Sequence, residues 1–339
     1  MNFMKLAFYE TEEWQIPVVR QSFPNDEILF FDHTLDPSTL ETAKGVDVVS
    51  VFIDSQINAD MISQLKDTLK LITTRSTGYN HIDLAAATQY LIPVSTVPQY
   101  GENTVAEHAF ALLLTISRKI YQTLERTERG RFDLEGLQGF DLKGKTIGIY
   151  GLGSIGIHMA KMAKGFEMKI LAYKRTPDPK LAEELGIEFV SNLEELLSRS
   201  DVISLHCPLT PETTHLINMD NIQHIKKGAV LINTARGGLV ETEALLQALN
   251  DEIISAAGLD VLEEEIPLKD DLTLLSKTFH EQVNWKTVLE DHVLINRDDV
   301  IFTAHNAFNS FEAVNRILNT TIDNIHQFFS GNPQNTVTQ

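Results

Sequence analysis

Short apolar runs recur along the chain and alternate with longer stretches whose apolar positions fall three and four apart. In the first hundred residues, Lys5–Tyr9, Ile28–Phe31, Val48–Phe52 and Leu71–Thr74 read as strands, and Thr11–Ser22, Asn58–Leu69 and Asp83–Gln89 as helices. Short buried strands separated by helices predict a parallel sheet covered on both faces. A long apolar helix is predicted over Thr104–Leu124, followed by a polar, glycine-dotted stretch at 125–145. The alternation then resumes. Strands are predicted at Thr146–Tyr150, Lys169–Tyr173, Val202–Leu205, Ala229–Asn233, Ile254–Leu259 and Val300–Ala304, and helices at Ile157–Gly165, Leu193–Ser198 and Thr242–Leu249. Residues 266–299 read as irregular, charged and long for a connection, a class of segment that usually carries function. Residues 310–330 read as an amphipathic helix with Val314, Ile317, Leu318, Ile322 and Ile325 on one face. The pattern predicts an α/β chain of two doubly wound parallel-sheet domains, with a first boundary near residue 100.

Gly151-Leu152-Gly153-Ser154-Ile155-Gly156 stands directly between the strand Thr146–Tyr150 and the next helix, and a second strand follows. Strand, G-x-G-x-x-G, helix and strand within about 30 residues form a dinucleotide-binding βαβ unit. Gly151 allows the turn, Gly153 lets backbone approach a pyrophosphate, and Gly156 lets helix pack on strand. The phosphates are expected at the helix N-terminus, against free N–H groups and the positive dipole end. No such cluster lies in residues 1–100, so that half reads as a second α/β domain that does not hold the dinucleotide.

The chain has 339 residues, enough for about two domains. Its net charge of −19 argues against nucleic acid or an anionic membrane as partner. It also means that an anionic substrate needs local positive charge. The single cysteine, Cys207, excludes an intrachain disulfide and fits a reducing compartment. The N-terminal apolar stretch is too short for a signal peptide and no run approaches a membrane span, so cytoplasm is the expected location.

Ligands of open α/β sheets bind beyond the C-terminal ends of the strands. Several ionisable residues are predicted there. Arg236, between a small residue and two glycines, can hold a carboxylate with two parallel bonds, although the pattern alone also admits a surface arginine. His305 follows a buried-type strand and suits proton transfer near neutral pH, but a histidine there can equally be structural. Glu265, beside Glu263 and Glu264, reads from sequence alone as part of a solvated acidic run. Placed against His305, it would orient the ring and keep it protonated. Asp260 is a candidate for cofactor contact. The loop Arg75–Asn80 of the first domain follows a strand and is a candidate substrate contact, or equally a plain glycine turn, while Val97–Gly101 leads into the long apolar helix and marks the first domain boundary. No metal-ligand spacing accompanies His206 and Cys207, there is no G-x-S-x-G elbow, and the glycine loop lacks the Lys-Ser/Thr ending of a P-loop.

The segments RSTGYNHIDL (75–84), VPQYGENTVAEH (97–108), GLGSIG (151–156), DVISLHCPLTPE (201–212), NTARGGLV (233–240), GLDVLEEE (258–265) and TAHNAF (303–308) together resemble the D-isomer-specific 2-hydroxyacid dehydrogenases. Within that family, RFDLEGLQGFDLKGKTIGIYGLGSIG (131–156) and the long insert before His305 are most similar to the D-lactate dehydrogenase branch. The likeness covers roughly residues 70–335. It implies a Rossmann cofactor domain (101–307) inserted into a flavodoxin-like catalytic domain (1–100 plus 308–339), and a homodimer. It implies that Arg236 binds the substrate carboxylate, that His305 is the acid/base, and that Glu265, five residues after Asp260, pairs with it. Thr77, Gly78 and Tyr100 would contact substrate. Gly151, Gly153, Ser154, Ile155, Gly156, Cys207, Pro208, Thr213, Thr234, Ala235 and Asp260 would contact cofactor. D-lactate/pyruvate is the first expected couple. Glyoxylate, hydroxypyruvate or branched 2-oxo acids, and a dinucleotide-sensing role, are the alternatives. NAD-preferring members carry Asp after the second strand of the βαβ unit. This chain has Lys174 followed by Arg175, which keeps both NAD and NADP as candidate cofactors.

Overall fold

The computed structural model describes residues 3–263 and 284–338. The chain divides into two compact units, Met1–Gly101 with Ser310–Gln339, and Glu102–Asn309.

The first unit contains five parallel strands, β1 (Lys5–Phe8), β2 (Glu27–Phe30), β3 (Val48–Val51), β4 (Leu71–Thr74) and β5 (Val94–Ser95), and a short antiparallel strand, β13 (Thr336–Val337). Their order is β13-β5-β4-β3-β1-β2, the flavodoxin-like 2-1-3-4-5 with an added edge. Successive residues of a strand face opposite sides. Leu6 and Phe8 therefore pack on the C-terminal helix Phe311–Phe329, through its Leu318, Ile322 and Ile325, while Ala7 and Tyr9 enter a second apolar layer with Val49, Val51 and Ile72. Ser310 caps that helix, its hydroxyl accepting from Ala313 N.

The second unit holds seven parallel strands, β6 (Thr146–Tyr150), β7 (Lys169–Tyr173), β8 (Ile187–Phe189), β9 (Val202–Leu205), β10 (Ala229–Asn233), β11 (Ile254–Leu259) and β12 (Val300–Phe302). Their order, β12-β11-β10-β9-β6-β7-β8, is the doubly wound 3-2-1-4-5-6 pattern with one strand added. The direction of winding reverses between β6 and β9, which pair directly.

The pattern of apolar positions misplaced some elements. The single helix expected over 104–124 is two, α4 (Glu102–Ser117) and α5 (Ile120–Glu128). Between them Lys119 is left-handed at φ +52°, and the Ser117 carbonyl accepts from Phe140 N rather than continuing the helical ladder. In the stretch expected to be irregular, the described part contains a helix, Trp285–Ile295, capped by Asn284. The strands β5, β8 and β13, two or three residues long, are too short to show a period, and the helix Pro179–Leu185 was not predicted. Glu265, with residues 264–283, lies outside the described residues.

Candidate active site

The glycine loop leaves β6 at its C-terminal end. Gly151 has φ +98°, and a Cβ on it would stand 2.6 Å from Cys207 N, so the β6 and β9 loops meet at this point. A Cβ on Gly156 would stand 2.4 Å from Gly151 O, whereas one on Gly153 would meet nothing within 4 Å. The helix Ser154–Gly165 starts at Gly153 without a side-chain cap, which leaves its first N–H groups facing that open space. Two polar atoms along the same edge are buried with no partner among the described residues, Thr234 Oγ1 and His206 Nδ1. An open glycine, uncapped N–H groups and orphaned polar atoms suit a dinucleotide.

Beyond β9, burial pushes the His206 imidazole down to about 4 and the Cys207 thiol up to about 11. His206, bonded through Nε2 to Ser204 Oγ at 2.8 Å, is therefore neutral at ordinary pH, and Cys207 is a thiol, not a thiolate nucleophile. Thr213 folds its own loop, donating to Pro208 O at 2.7 Å. Beyond β7, Lys174 is half-buried and Arg175 exposed. The Tyr150 phenol is pushed up to about 12, by burial first and then by Tyr173 and Cys207, while the charge of Arg175 pulls it back. Tyr150 and Tyr173 stack with ring centroids 4.7 Å apart.

Arg236 follows β10. Buried Asn233 shapes its turn, donating to Arg236 O at 2.9 Å and accepting from Ala235 N at 3.1 Å. The arginine side chain is exposed and bonds Ala235 O at 2.7 Å. It makes no ion pair among the described residues.

Asp260 follows β11 and is fully buried. Its Oδ1 accepts from Asn306 N at 3.0 Å and from the Thr303 hydroxyl, and its Oδ2 accepts from Ala307 N at 2.9 Å. With its proton on Nε2, His108 of α4 donates to Thr303 Oγ1 at 2.9 Å, which extends the chain of donors to the carboxylate. Burial raises the Asp260 pKa, but the bonds from His108, Thr303, Ala307 and Asn306 outweigh it and hold the carboxyl below its usual range. The donors ring the turn that carries His305, which is itself left-handed at φ +51° with its N–H on Thr303 O at 2.9 Å. A non-glycine residue in that region costs of order 1–3 kcal/mol and persists only where its surroundings fix it. Asp260 does the fixing.

Arg236, Asp260 and His305 thus follow three adjacent strands, β10, β11 and β12, on the edge that carries the glycine loop. With strands spaced at about 4.8 Å, β10 and β12 lie about 10 Å apart. Thr77, Gly78 and Tyr100 belong to the first unit. Thr77 is exposed and donates to Val97 O at 2.8 Å, Gly78 O accepts from Ser76 Oγ at 2.6 Å, and Tyr100 O accepts from Arg316 Nε. Neighbouring Arg75 is 2 % exposed and bonds Tyr9 O, Glu10 O and Ser50 Oγ.

Reading residues singly missed Asn233, His108 and Thr303. Each lies inside a segment that marks the family, but nothing in its type announces a partner far along the chain.

Comparison with known proteins decides the family. Residues 110–307 match the model of the D-isomer specific 2-hydroxyacid dehydrogenase, NAD binding domain. The chain is 38 % identical to the D-lactate dehydrogenase of Escherichia coli (strain K12) over 335 residues, 97 % of this chain and 98 % of that protein. The chain belongs to the D-isomer specific 2-hydroxyacid dehydrogenases. Among solved structures, the pyruvate reductase of Chlamydomonas reinhardtii superposes with a TM-score of 0.88 at 36 % identity, covering 98 % of both chains. The D-lactate dehydrogenase of Aquifex aeolicus, complexed with NAD and lactic acid, gives 0.81 at 32 % identity over 96 % of both. As a member of this family, the chain is an oxidoreductase of D-2-hydroxy acids and 2-oxo acids, and its second unit is a Rossmann domain of the NAD-binding type. No helix among the described residues is long and apolar enough to cross a membrane.

Proposed function

We propose that this dehydrogenase interconverts pyruvate and D-lactate, with Arg236 and His305 as its catalytic pair. The observation that carries the reading is the row of Arg236, Asp260 and His305 on one sheet edge, beside a glycine loop that leaves Gly153 open. The relatives named D-lactate dehydrogenase and pyruvate reductase support this choice of acid. The bound nicotinamide supplies the hydride for C2 of the 2-oxo acid. Arg236 grips the carboxylate with its fork and draws charge from the carbonyl. His305 donates the proton from its imidazole to the carbonyl oxygen, and takes it back in lactate oxidation. His206, neutral at ordinary pH, cannot be that donor. Glu265 pairs with His305 in this reading and orients the ring. Thr77, Gly78 and Tyr100 remain proposed substrate contacts. Gly151, Gly153, Ser154, Ile155, Gly156, Cys207, Pro208, Thr213, Thr234, Ala235 and Asp260 remain proposed cofactor contacts.

Lys174 and Arg175 extend the proposal to NADP(H). They place up to two positive charges where an acidic residue would bind the ribose hydroxyls and repel a 2′-phosphate. The same reading carries a cytoplasmic homodimer that uses the exposed Tyr121, Leu124, Phe132 and Leu134 of the second unit. A sedimentation mass equal to the 38.1 kDa chain would remove the dimer.

The test is nicotinamide absorbance with pyruvate, glyoxylate, hydroxypyruvate and branched 2-oxo acids, in wild type and in His305→Ala. Pyruvate should give the highest kcat/KM, and His305→Ala should lower kcat by about 10²–10⁴-fold while NADH still binds. Turnover near wild type in the variant would refute the role of His305. No oxidation of NADH or NADPH with any of these acids would refute the reaction.

A further inference from the structure

A guanidinium fork selects a carboxylate only if the backbone beneath it holds still. The turn Arg236–Gly238 is enclosed by two segments remote in sequence. On one side lies the chain beyond Asp260. A Cβ on Gly237 would stand 1.8 Å from Leu262 O and 2.5 Å from Glu263 N, so the two backbones touch and only glycine fits. On the other side lies His215. Its N–H donates to Gly238 O at 2.8 Å, and its ring Nε2 bonds Glu263 Oε1 at 2.6 Å. His215 takes φ +49° to reach both.

The other oxygen of Glu263 is also engaged. Oε2 accepts from Thr242 N at 3.1 Å and from Thr242 Oγ1 at 2.9 Å. Thr242 is the first residue of the helix Thr242–Asn250, whose N-cap, Glu241, makes no side-chain cap bond, its carboxylate accepting instead from Met219 N at 2.9 Å. Glu263 therefore caps that helix from another segment, with its negative charge at the positive dipole end. The acidic run read in sequence as solvated begins with a carboxylate whose side chain is only 20 % exposed.

We infer that Glu263 and His215 are positioning residues for Arg236, a single clamp that bridges the chain beyond Asp260 to Gly238 and fixes the arginine turn from both sides. The inference rests on the reading of Arg236 as substrate anchor. If Glu263 lets go, His215 loses the bond that rewards its left-handed backbone, and Gly238 O loses a fixed donor. The glycine loop is remote from the clamp, because Gly151–Gly156 follows β6, two strands away from β10.

The experiment compares Glu263→Gln, His215→Ala and the double variant with wild type, using pyruvate and NADH in steady state and NADH fluorescence for cofactor Kd. Each single change should lower kcat/KM for pyruvate by about tenfold or more, with NADH Kd unchanged. The double variant should be no worse than the more damaging single, because the two residues act as one unit. Should Glu263→Gln fail to fold, His215→Asn carries the same test, since asparagine tolerates the left-handed backbone and cannot reach Glu263. Wild-type kcat/KM in the singles, losses that multiply in the double, or a loss in NADH affinity would each overturn the clamp. Arg236→Lys is the reference in the same series. If it leaves pyruvate kcat/KM intact, the anchor reading itself fails. If it lowers kcat/KM while the clamp variants do not, only the clamp fails.

Discussion

Arg75 and Arg236 occupy similar places in the two units, each just beyond a buried parallel strand, and their side chains have opposite fates. Arg75 turns inward. Its guanidinium is spent on Tyr9 O, Glu10 O and Ser50 Oγ, and burial lowers its pKa to about 10, against the pull of Glu10 and Glu12. Glu10 in turn accepts from Phe52 N, Asp54 N and Ser55 Oγ. The ends of β1, β3 and β4 are thereby sealed by polar groups that satisfy one another. Arg236 is instead exposed and, among the described residues, tied to its neighbour's carbonyl, while the work of shaping its turn falls to Asn233, Glu263 and His215. One edge closes on itself. The other leaves a charged fork and an open glycine for a ligand. A buried strand followed by arginine is therefore not a site by itself. The distinguishing fact is whether the protein already supplies the arginine's partners.

The histidines of the two edges behave alike, and pH tests that shared burial. Burial lowers both His81, bonded to Thr74 in the first unit, and His206 in the second to about 4 from an ordinary 6.5. In the unfolded chain each takes a proton below about 6.5, whereas in the fold each stays neutral down to about 4. Stability is then complete above pH 6.5 and falls as the pH drops towards 4, by up to about 3 kcal/mol for each histidine. Urea titrations across this range should show His81→Gln and His206→Gln each with a shallower acid slope than wild type. Slopes equal to wild type would mean that both rings titrate as if solvated. A smaller effect concerns the open edge alone. Lys174→Asp should swing the ratio of kcat/KM values towards NADH by about tenfold, the size of one lost charge-assisted contact. A wild type already strongly selective for NADH, with little change in the variant, would place Lys174 outside the ribose site.

Much of the architecture was legible because it depends on period and punctuation. β6, β7, β9, β10 and β11 are continuous apolar runs that end in glycine, polar or proline signals, and the glycine loop sits where a βαβ unit needs it. The break at Lys119 was not legible. It depends on Phe140 donating to Ser117 O, a contact that no local pattern encodes. The site divides in the same way. Arg236, Asp260 and His305 could be singled out as ionisable residues at strand ends. The supports could not. Asn233 reads as the last residue of a strand, His108 as a residue near the start of a helix, and Glu263 as one of three surface acids, until the fold brings Arg236, Thr303 and His215 to them.

The most direct test of the contrast between the two edges is a crossed measurement of stability and activity on the two arginines. Arg236→Lys keeps the charge but loses the bidentate fork. It should raise KM for pyruvate and lower kcat/KM by about 10²-fold, with a melting temperature equal to wild type. Arg75→Met leaves the Tyr9 and Glu10 carbonyls without their donor, and should cost about 3 kcal/mol of stability while the folded fraction keeps its NADH affinity. The contradicting result is the reverse pairing: Arg236→Lys destabilised with its pyruvate KM intact, or Arg75→Met as stable as wild type.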